Sequence, residues 1–170
     1  MAGGHATSAP QLPPLPLYAH FPWCVSKCPY CDFNSYALKD PLPEARYIEA
    51  LASDLDAQLT SDFGRTAQLA GREIVSVFLG GGTPSLFTPE AIAGFLAGAR
   101  RSLRFASDAE ITLEANPGTI ERGRFAGYRD AGITRVSLGA QTFDARRLAL
   151  LGRIHTADET RRAAEELHAA

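Results

Sequence analysis

The sequence predicts an α/β fold, built of parallel βα units that make up about half of a closed barrel. Two observations carry this. Strand-like apolar runs alternate four times with stretches of helical periodicity, the pattern of parallel strands joined by crossover helices. A closed eight-unit barrel needs roughly 250 residues, whereas this chain has 170 and is still in a helical pattern when it ends. A fragment is therefore expected, with an unpaired apolar edge at the fourth strand. A small open α/β sheet, complete in itself, is the alternative.

Residues 1–16 hold Pro10, Pro13, Pro14 and Pro16 among small residues and read as a flexible leader; residues 17–170 are the folded part. Residues 17–21 predict a short strand that runs straight into a cysteine-bearing loop. Asp40-Pro41-Leu42-Pro43 is a turn, after which Ile48, Leu51, Leu55 and Leu59 recur at helical spacing across residues 44–59. Residues 73–79 are a near-continuous β-branched and aromatic run, as expected of a strand buried on both faces. Thr88-Pro89-Glu90 predicts an N-cap with proline in the first turn of a helix reaching about residue 103. Residues 110–115 read as the third strand, and Thr119 as the cap of a helix to residue 131 that Gly132 stops. Residues 133–140 read as the fourth strand. Helical pattern resumes at Asp144, breaks near Gly152 and continues over residues 157–170.

Composition narrows the function. The chain is 45% hydrophobic and 21% charged, with a formal net charge of -2, so nothing electrostatic argues for a nucleic-acid partner and none is expected. No apolar run approaches the roughly 18 residues of a membrane span. No Asp, Glu, Lys or Arg precedes Lys27, which fits neither a secretory signal nor an arginine-rich transit peptide. A cytoplasmic protein is expected.

The three cysteines of the chain, Cys24, Cys28 and Cys31, lie within eight residues in CxxxCxxC spacing. An odd, clustered set is a poor disulfide framework. Thiolates are soft ligands for zinc or iron–sulfur clusters. Structural zinc wants four closed ligands, and a fourth would have to be His20 or a distant histidine. Three cysteines on a four-iron cluster leave one iron open to a substrate or cofactor, so the site reads as catalytic.

Gly80-Gly81-Gly82-Thr83-Pro84 follows the second strand and is neither a P-loop nor a dinucleotide fingerprint. A plain turn needs one glycine; three at a strand's carboxyl end suggest close approach of backbone to a ligand. Strand alternation puts Ile111, Leu113 and Ala115 toward helices and Thr112, Glu114 and Asn116 toward the barrel interior. In the fourth strand Val136, Leu138 and Ala140 face out, leaving Ser137, Gly139 and Gln141 inside. Glu114 and Gln141 thus point inward near carboxyl strand ends, where barrels carry function; a hydrogen-bonded core network is the alternative. Arg153 and His155 follow the fourth strand. His20 shares a side with Tyr18, either behind the site or as a satisfied interior histidine, and His5 and His168 are assigned to solvent.

CxxxCxxC with an aromatic (Tyr30) before the last cysteine resembles the motif of the radical S-adenosylmethionine (SAM) superfamily. The strings YAHFPWC, GGGTPS, EANPGTI, RVSLGAQTF and LLGRIHT extend the likeness over nearly the whole chain after the leader. The resemblance implies that residues 17–170 are the N-terminal part of that family's partial βα barrel. It implies a 4Fe-4S cluster on Cys24, Cys28 and Cys31, whose open iron holds the amino and carboxylate groups of SAM. Tyr18, Tyr30, Gly81, Gly82, Thr83, Glu114, Gln141 and Arg153 would contact SAM. In the family, an electron from the cluster cleaves SAM to methionine and a 5′-deoxyadenosyl radical; the protein positions the reactants and excludes water.

The strings look like the branch that contains oxygen-independent coproporphyrinogen III oxidase and a haem chaperone. The oxidase resembles CxxxCxxCxC, whereas this chain reads Cys31-Asp32-Phe33. Phe33 and Asn34 favour the chaperone, which would bind haem as cargo and pass it to a membrane-associated haem-accepting protein. The oxidase would decarboxylate porphyrinogen propionates. Either implies a porphyrin or haem partner and an electron donor. The chaperone's haem-binding motif lies outside these residues.

Overall fold

A computed structural model describes residues 12–118 and 123–170. The leader as far as residue 11, including His5, and the Thr119 cap lie outside the described residues.

The first strand, β1, is Leu15–Phe21. It starts two residues earlier than its sequence pattern and takes in Pro16, which an edge strand tolerates because one side of its backbone needs no ladder partner. Two short strands that the sequence did not predict, β2 (Trp23–Cys24) and β3 (Tyr36–Ala37), pair in parallel and pinch the cysteine loop at its base. Helix α1, Glu44–Thr60, lays Ile48, Leu51, Leu55 and Leu59 against the core. The short α2, Asp62–Thr66, is capped by Ser61, whose hydroxyl accepts from the Gly64 N–H at 2.9 Å. β4, Glu73–Gly81, carries the buried run on into the first glycines of the following loop.

Helix α3 is Pro89–Ser102, with Thr88 as its cap. Pro43 gives α1 no side-chain cap. Glu44 in its first turn instead accepts from the Thr88 N–H (2.8 Å) and hydroxyl (2.9 Å), so one carboxylate ties the starts of α1 and α3 together. β5 runs Arg104–Ala115, six residues earlier than predicted. Its polar opening stretch pairs with β4 at Glu73 and Ile74 through a register shift, a tertiary contact that overrides weak local strand propensity. Helix α4 is only Phe125–Asp130, shorter than the predicted 119–131. Gly132 ends that turn at φ +107°. β6 is Arg135–Leu138, trimmed at both ends. Helix α5, Ala145–Leu150, is capped by Asp144, and Gly152 at φ +66° separates it from α6, Ala157–Ala169.

All four main strands are parallel and stand in the order β1-β4-β5-β6. Sequential order with helical crossovers is the arrangement of a half-barrel. The core lies between the sheet and its helices: Val77, Leu79, Ile111, Leu113 and Ala115 meet Ile92, Phe95 and Leu96. An aromatic cluster supports the base of the cysteine loop. Phe21 meets Phe87 edge-on at 4.9 Å, and Trp23 meets Tyr47 edge-on at 4.5 Å. The Tyr47 hydroxyl donates to the His20 carbonyl at 2.7 Å. Among the described residues no helix is long and apolar enough to cross a membrane.

Helix α6 opens with a complete capping box. The Thr156 hydroxyl accepts from the Glu159 N–H, and the Glu159 carboxylate accepts from the Thr156 N–H at 2.7 Å and hydroxyl at 2.9 Å. Those bonds, the backbone one first, hold the Glu159 carboxyl below its ordinary pKa. A depressed carboxyl pKa contributes stability above the unfolded value and loses it as pH falls through the folded one. Thr156→Ala is expected to cost about 1 kcal/mol in urea unfolding at neutral pH. The difference should shrink once the solution is acid enough to protonate Glu159; a pH-independent difference would remove the carboxylate from the account.

Candidate cofactor site

The carboxyl ends of β4, β5 and β6, roofed by the cysteine loop, enclose a cavity of about 400 Å³, a size suited to a small-molecule cofactor. Cys24, Cys28 and Cys31 all line it, half-buried and unbridged. The Cys31 N–H donates to the Cys28 carbonyl at 3.0 Å, closing a tight turn between the last two cysteines. Among the described residues no three metal-ligating side chains are already gathered on one point.

The opposite wall comes from the strand ends. The Gly81 N–H donates to Glu114 Oε2 at 3.0 Å. The Gly82 and Thr83 N–H groups donate to the Phe21 and Trp23 carbonyls, both at 2.7 Å, so the glycine loop is sewn to the start of the cysteine loop. Packing within the chain gives the glycines a second reason. A Cβ on Gly81 would stand 2.5 Å from the His20 ring, and one on Gly82 would stand 2.6 Å from the Trp23 carbonyl oxygen. The chain's own packing demands them, although both also line the cavity.

Arg153 enters from beyond β6. Its guanidinium donates to Asn116 Oδ1, to the Gly139 carbonyl at 2.8 Å and to Cys28 Sγ at 3.4 Å. Its Nε is buried without a partner among the described residues, an arrangement that costs free energy unless an acceptor arrives. Asn116 completes the frame by donating to Thr83 Oγ1 at 3.0 Å. His155 is buried and bonds the Ala140 carbonyl through Nε2 at 3.2 Å. Burial pulls its pKa down and Arg153 adds to this, against the hydrogen bond to Ala140. The cavity therefore presents a carboxylate on one wall and a guanidinium on another. That pairing matches a ligand bearing both an ammonium and a carboxylate.

The structure brings most of the expected residues together. Tyr30, Gly81, Gly82, Thr83, Glu114, Gln141 and Arg153 line the cavity with the three cysteines. Partial burial, then the neighbouring Cys28 thiol, pushes the Tyr30 phenol up. Gln141 arrives by a different route from the one predicted: β6 has already ended, and a left-handed residue (φ +62°) rather than strand alternation sets its position. Tyr18 does not reach the cavity. It lies three residues before the end of β1, about 10 Å down the strand. There it stacks on Phe78 and bonds His20 Nδ1 through its hydroxyl at 2.9 Å. The other His20 nitrogen bonds the Asn34 carbonyl at 2.8 Å, so neither ring nitrogen is free to serve as a fourth metal ligand. Asn116 and Ser137 are among the further lining residues; strand alternation placed both inward, but neither was singled out as a site residue.

A half-barrel of sequentially ordered parallel strands, with three thiols at the strands' carboxyl ends, is a scaffold that can hold a thiolate-bound metal group beside a small molecule. The model of the Radical SAM superfamily matches residues 18–170, and the chain belongs to that superfamily. Membership implies a 4Fe-4S cluster and SAM. The chain is 51% identical over 155 residues to heme chaperone HemW of Escherichia coli (strain K12) and 53% identical over 154 residues to heme chaperone HemW of Haemophilus influenzae. Each match covers 91% of this chain and 39% of the relative, so the chain spans about two-fifths of their length. The mitochondrial radical S-adenosyl methionine domain-containing protein 1 of Bos taurus is 38% identical, over 91% of this chain and 33% of its own. Among solved structures, coproporphyrinogen III oxidase (HemN) from Escherichia coli, a radical SAM enzyme, superposes with a TM-score of 0.78 at 27% identity. That match covers 91% of this chain and 34% of the oxidase.

Proposed function

We propose that residues 17–170 are the N-terminal part of the radical SAM core of a cytoplasmic haem chaperone, preceded by a leader. Cys24, Cys28 and Cys31 hold the cluster, while Glu114 and Arg153 receive the amino and carboxylate ends of SAM. The observation that carries this reading is that Cys24, Cys28, Cys31, Glu114 and Arg153 all line one cavity. The donor set fits the group: three soft thiolates, with His20 engaged elsewhere among the described residues, would leave one iron open. When bound, the cluster supplies an electron to the SAM sulfonium.

The chain's residues hold and orient. Gly81, Gly82 and Thr83 keep the wall close to the cysteine loop, and the Gly81 N–H fixes one oxygen of Glu114. Asn116 and the Gly139 carbonyl aim the Arg153 guanidinium. Tyr30 and Gln141 flank the cofactor, and Tyr18 acts on the site through His20. The wider protein carries haem and delivers it to a membrane-associated acceptor, with an electron donor serving the cluster.

Phe33, and identities of 51% and 53% to heme chaperones, favour cargo transfer; the superposition on the oxidase favours porphyrinogen turnover. The discriminating assay uses the complete protein, reconstituted anaerobically with SAM and reductant, and follows carbon dioxide release from coproporphyrinogen III. Formation of 5′-deoxyadenosine in the same tube is the internal control. SAM cleavage with no carbon dioxide is expected, together with stable haem binding. Carbon dioxide release would make the protein an oxidase.

A further inference from the structure

The cysteine loop contains a lysine with no part in the proposed cofactor contacts. Lys27 directly precedes Cys28, and its ammonium donates to the Phe33 carbonyl and the Ser35 carbonyl, both at 3.0 Å. Among the described residues no carboxylate stands within ion-pair distance of it. Surface lysines ordinarily extend into water, because ordering the long side chain costs rotamer entropy. This one instead folds back over the loop and satisfies two backbone acceptors.

The carbonyls it holds follow Cys31, whereas Lys27 lies between Cys24 and Cys28. The ammonium thus bridges the segment before the Cys28–Cys31 turn to the segment after it. Ser35 reinforces the closure. It is buried, and its hydroxyl lies 3.5 Å from the Phe33 carbonyl and 3.9 Å from Cys31 Sγ. At the base, β2 and β3 close the same loop: the Tyr36 N–H donates to the Pro22 carbonyl and the Leu38 N–H to the Cys24 carbonyl. Backbone pairing therefore fixes the two ends of the loop, and the lysine fixes its middle.

We propose that Lys27 is a positioning residue: its two hydrogen bonds clasp the loop that carries the three thiols, so that a cluster bound there is retained. Charge-assisted bonds of this kind are stronger than neutral ones, and a loop that carries all three ligands loses entropy on closure whether or not the cluster is present. Bearing that loss in the folded chain would favour cluster retention. The proposal rests on the cysteines being the cluster ligands. Lys27→Met keeps the stem and removes the donors; Lys27→Arg keeps the charge and several donors.

The test uses the complete protein, reconstituted anaerobically, and measures iron and sulfide per chain, the rate of iron loss to a ferrous chelator, and the paramagnetic resonance of the reduced cluster. The melting temperature of each apo protein is recorded alongside. Lys27→Met is expected to melt like the unsubstituted protein yet lose iron at least tenfold faster, with a broadened resonance, and Lys27→Arg to restore most of the retention. Equal iron loss in Lys27→Met would overturn the clasp and leave the cluster assignment standing. A lowered apo melting temperature that by itself accounts for the iron loss would also overturn the clasp, making Lys27 a general stabiliser. Absence of iron from the unsubstituted protein would overturn the cluster reading and the clasp with it.

Discussion

Cys24→Ala, Cys28→Ala and Cys31→Ala are each expected to emerge from anaerobic reconstitution without the broad visible absorption of an iron–sulfur protein. The chain has three cysteines and all three face the cavity, so no spare thiol can substitute. His20, the nearest histidine by sequence, is bonded at both ring nitrogens. A cluster held by two thiolates would have two open irons in a cavity reached by solvent. The effect should be close to complete, and it should be specific. The cysteines are half-buried at the end of β2 and on the loop after it, outside the hydrophobic core, so each apo variant should keep the unsubstituted melting temperature. Four irons retained in any single variant would remove that cysteine from the ligand set.

The fold was legible wherever local chemistry decides. Thr88 caps α3 and Asp144 caps α5 because short side-chain oxygens satisfy free N–H groups in any context. Gly132 and Gly152 end helical turns at positive φ for a similarly local reason. What escaped was set at a distance. β2 and β3 are two residues each and exist only because the Tyr36 N–H donates to the Pro22 carbonyl and the Leu38 N–H to the Cys24 carbonyl, across a dozen or more residues. The first half of β5 is polar and exposed at several positions, and its pairing with β4 makes it a strand.

The site divides in the same way. Strand alternation placed Glu114 and Asn116 inward, and both line the cavity. Alternation gives the face of a strand but not the depth along it, so Tyr18, on the inward face of β1, falls short of the cavity. The bond from Asn116 to Thr83 and its acceptance from Arg153 join β5 to two other segments of the chain. Such a hub shows only when those segments are assembled. Its sequence signal was the inward position beside Glu114.

Glu114 is where charge and geometry can be separated. One carboxylate oxygen accepts from the Gly81 N–H at 3.0 Å, and the side chain faces the cavity from the end of β5. Glu114→Gln keeps an acceptor for Gly81 but removes the charge, whereas Glu114→Ala removes both. A charge-assisted hydrogen bond contributes about 1.5–3 kcal/mol, equivalent to about 10–100-fold in affinity. In calorimetry on the reconstituted protein, Glu114→Gln should weaken SAM binding by that factor, and Glu114→Ala at least as much. Iron content should not change, because Glu114 touches the glycine loop and none of the cysteines. Tyr18 offers a second readout. Burial first, and the Glu114 carboxylate second, push its phenol up, so Glu114→Gln should let Tyr18 ionise at lower pH. Unaltered SAM affinity in Glu114→Gln with a lowered Tyr18 pKa would mean that the carboxylate is in place but does not hold the cofactor.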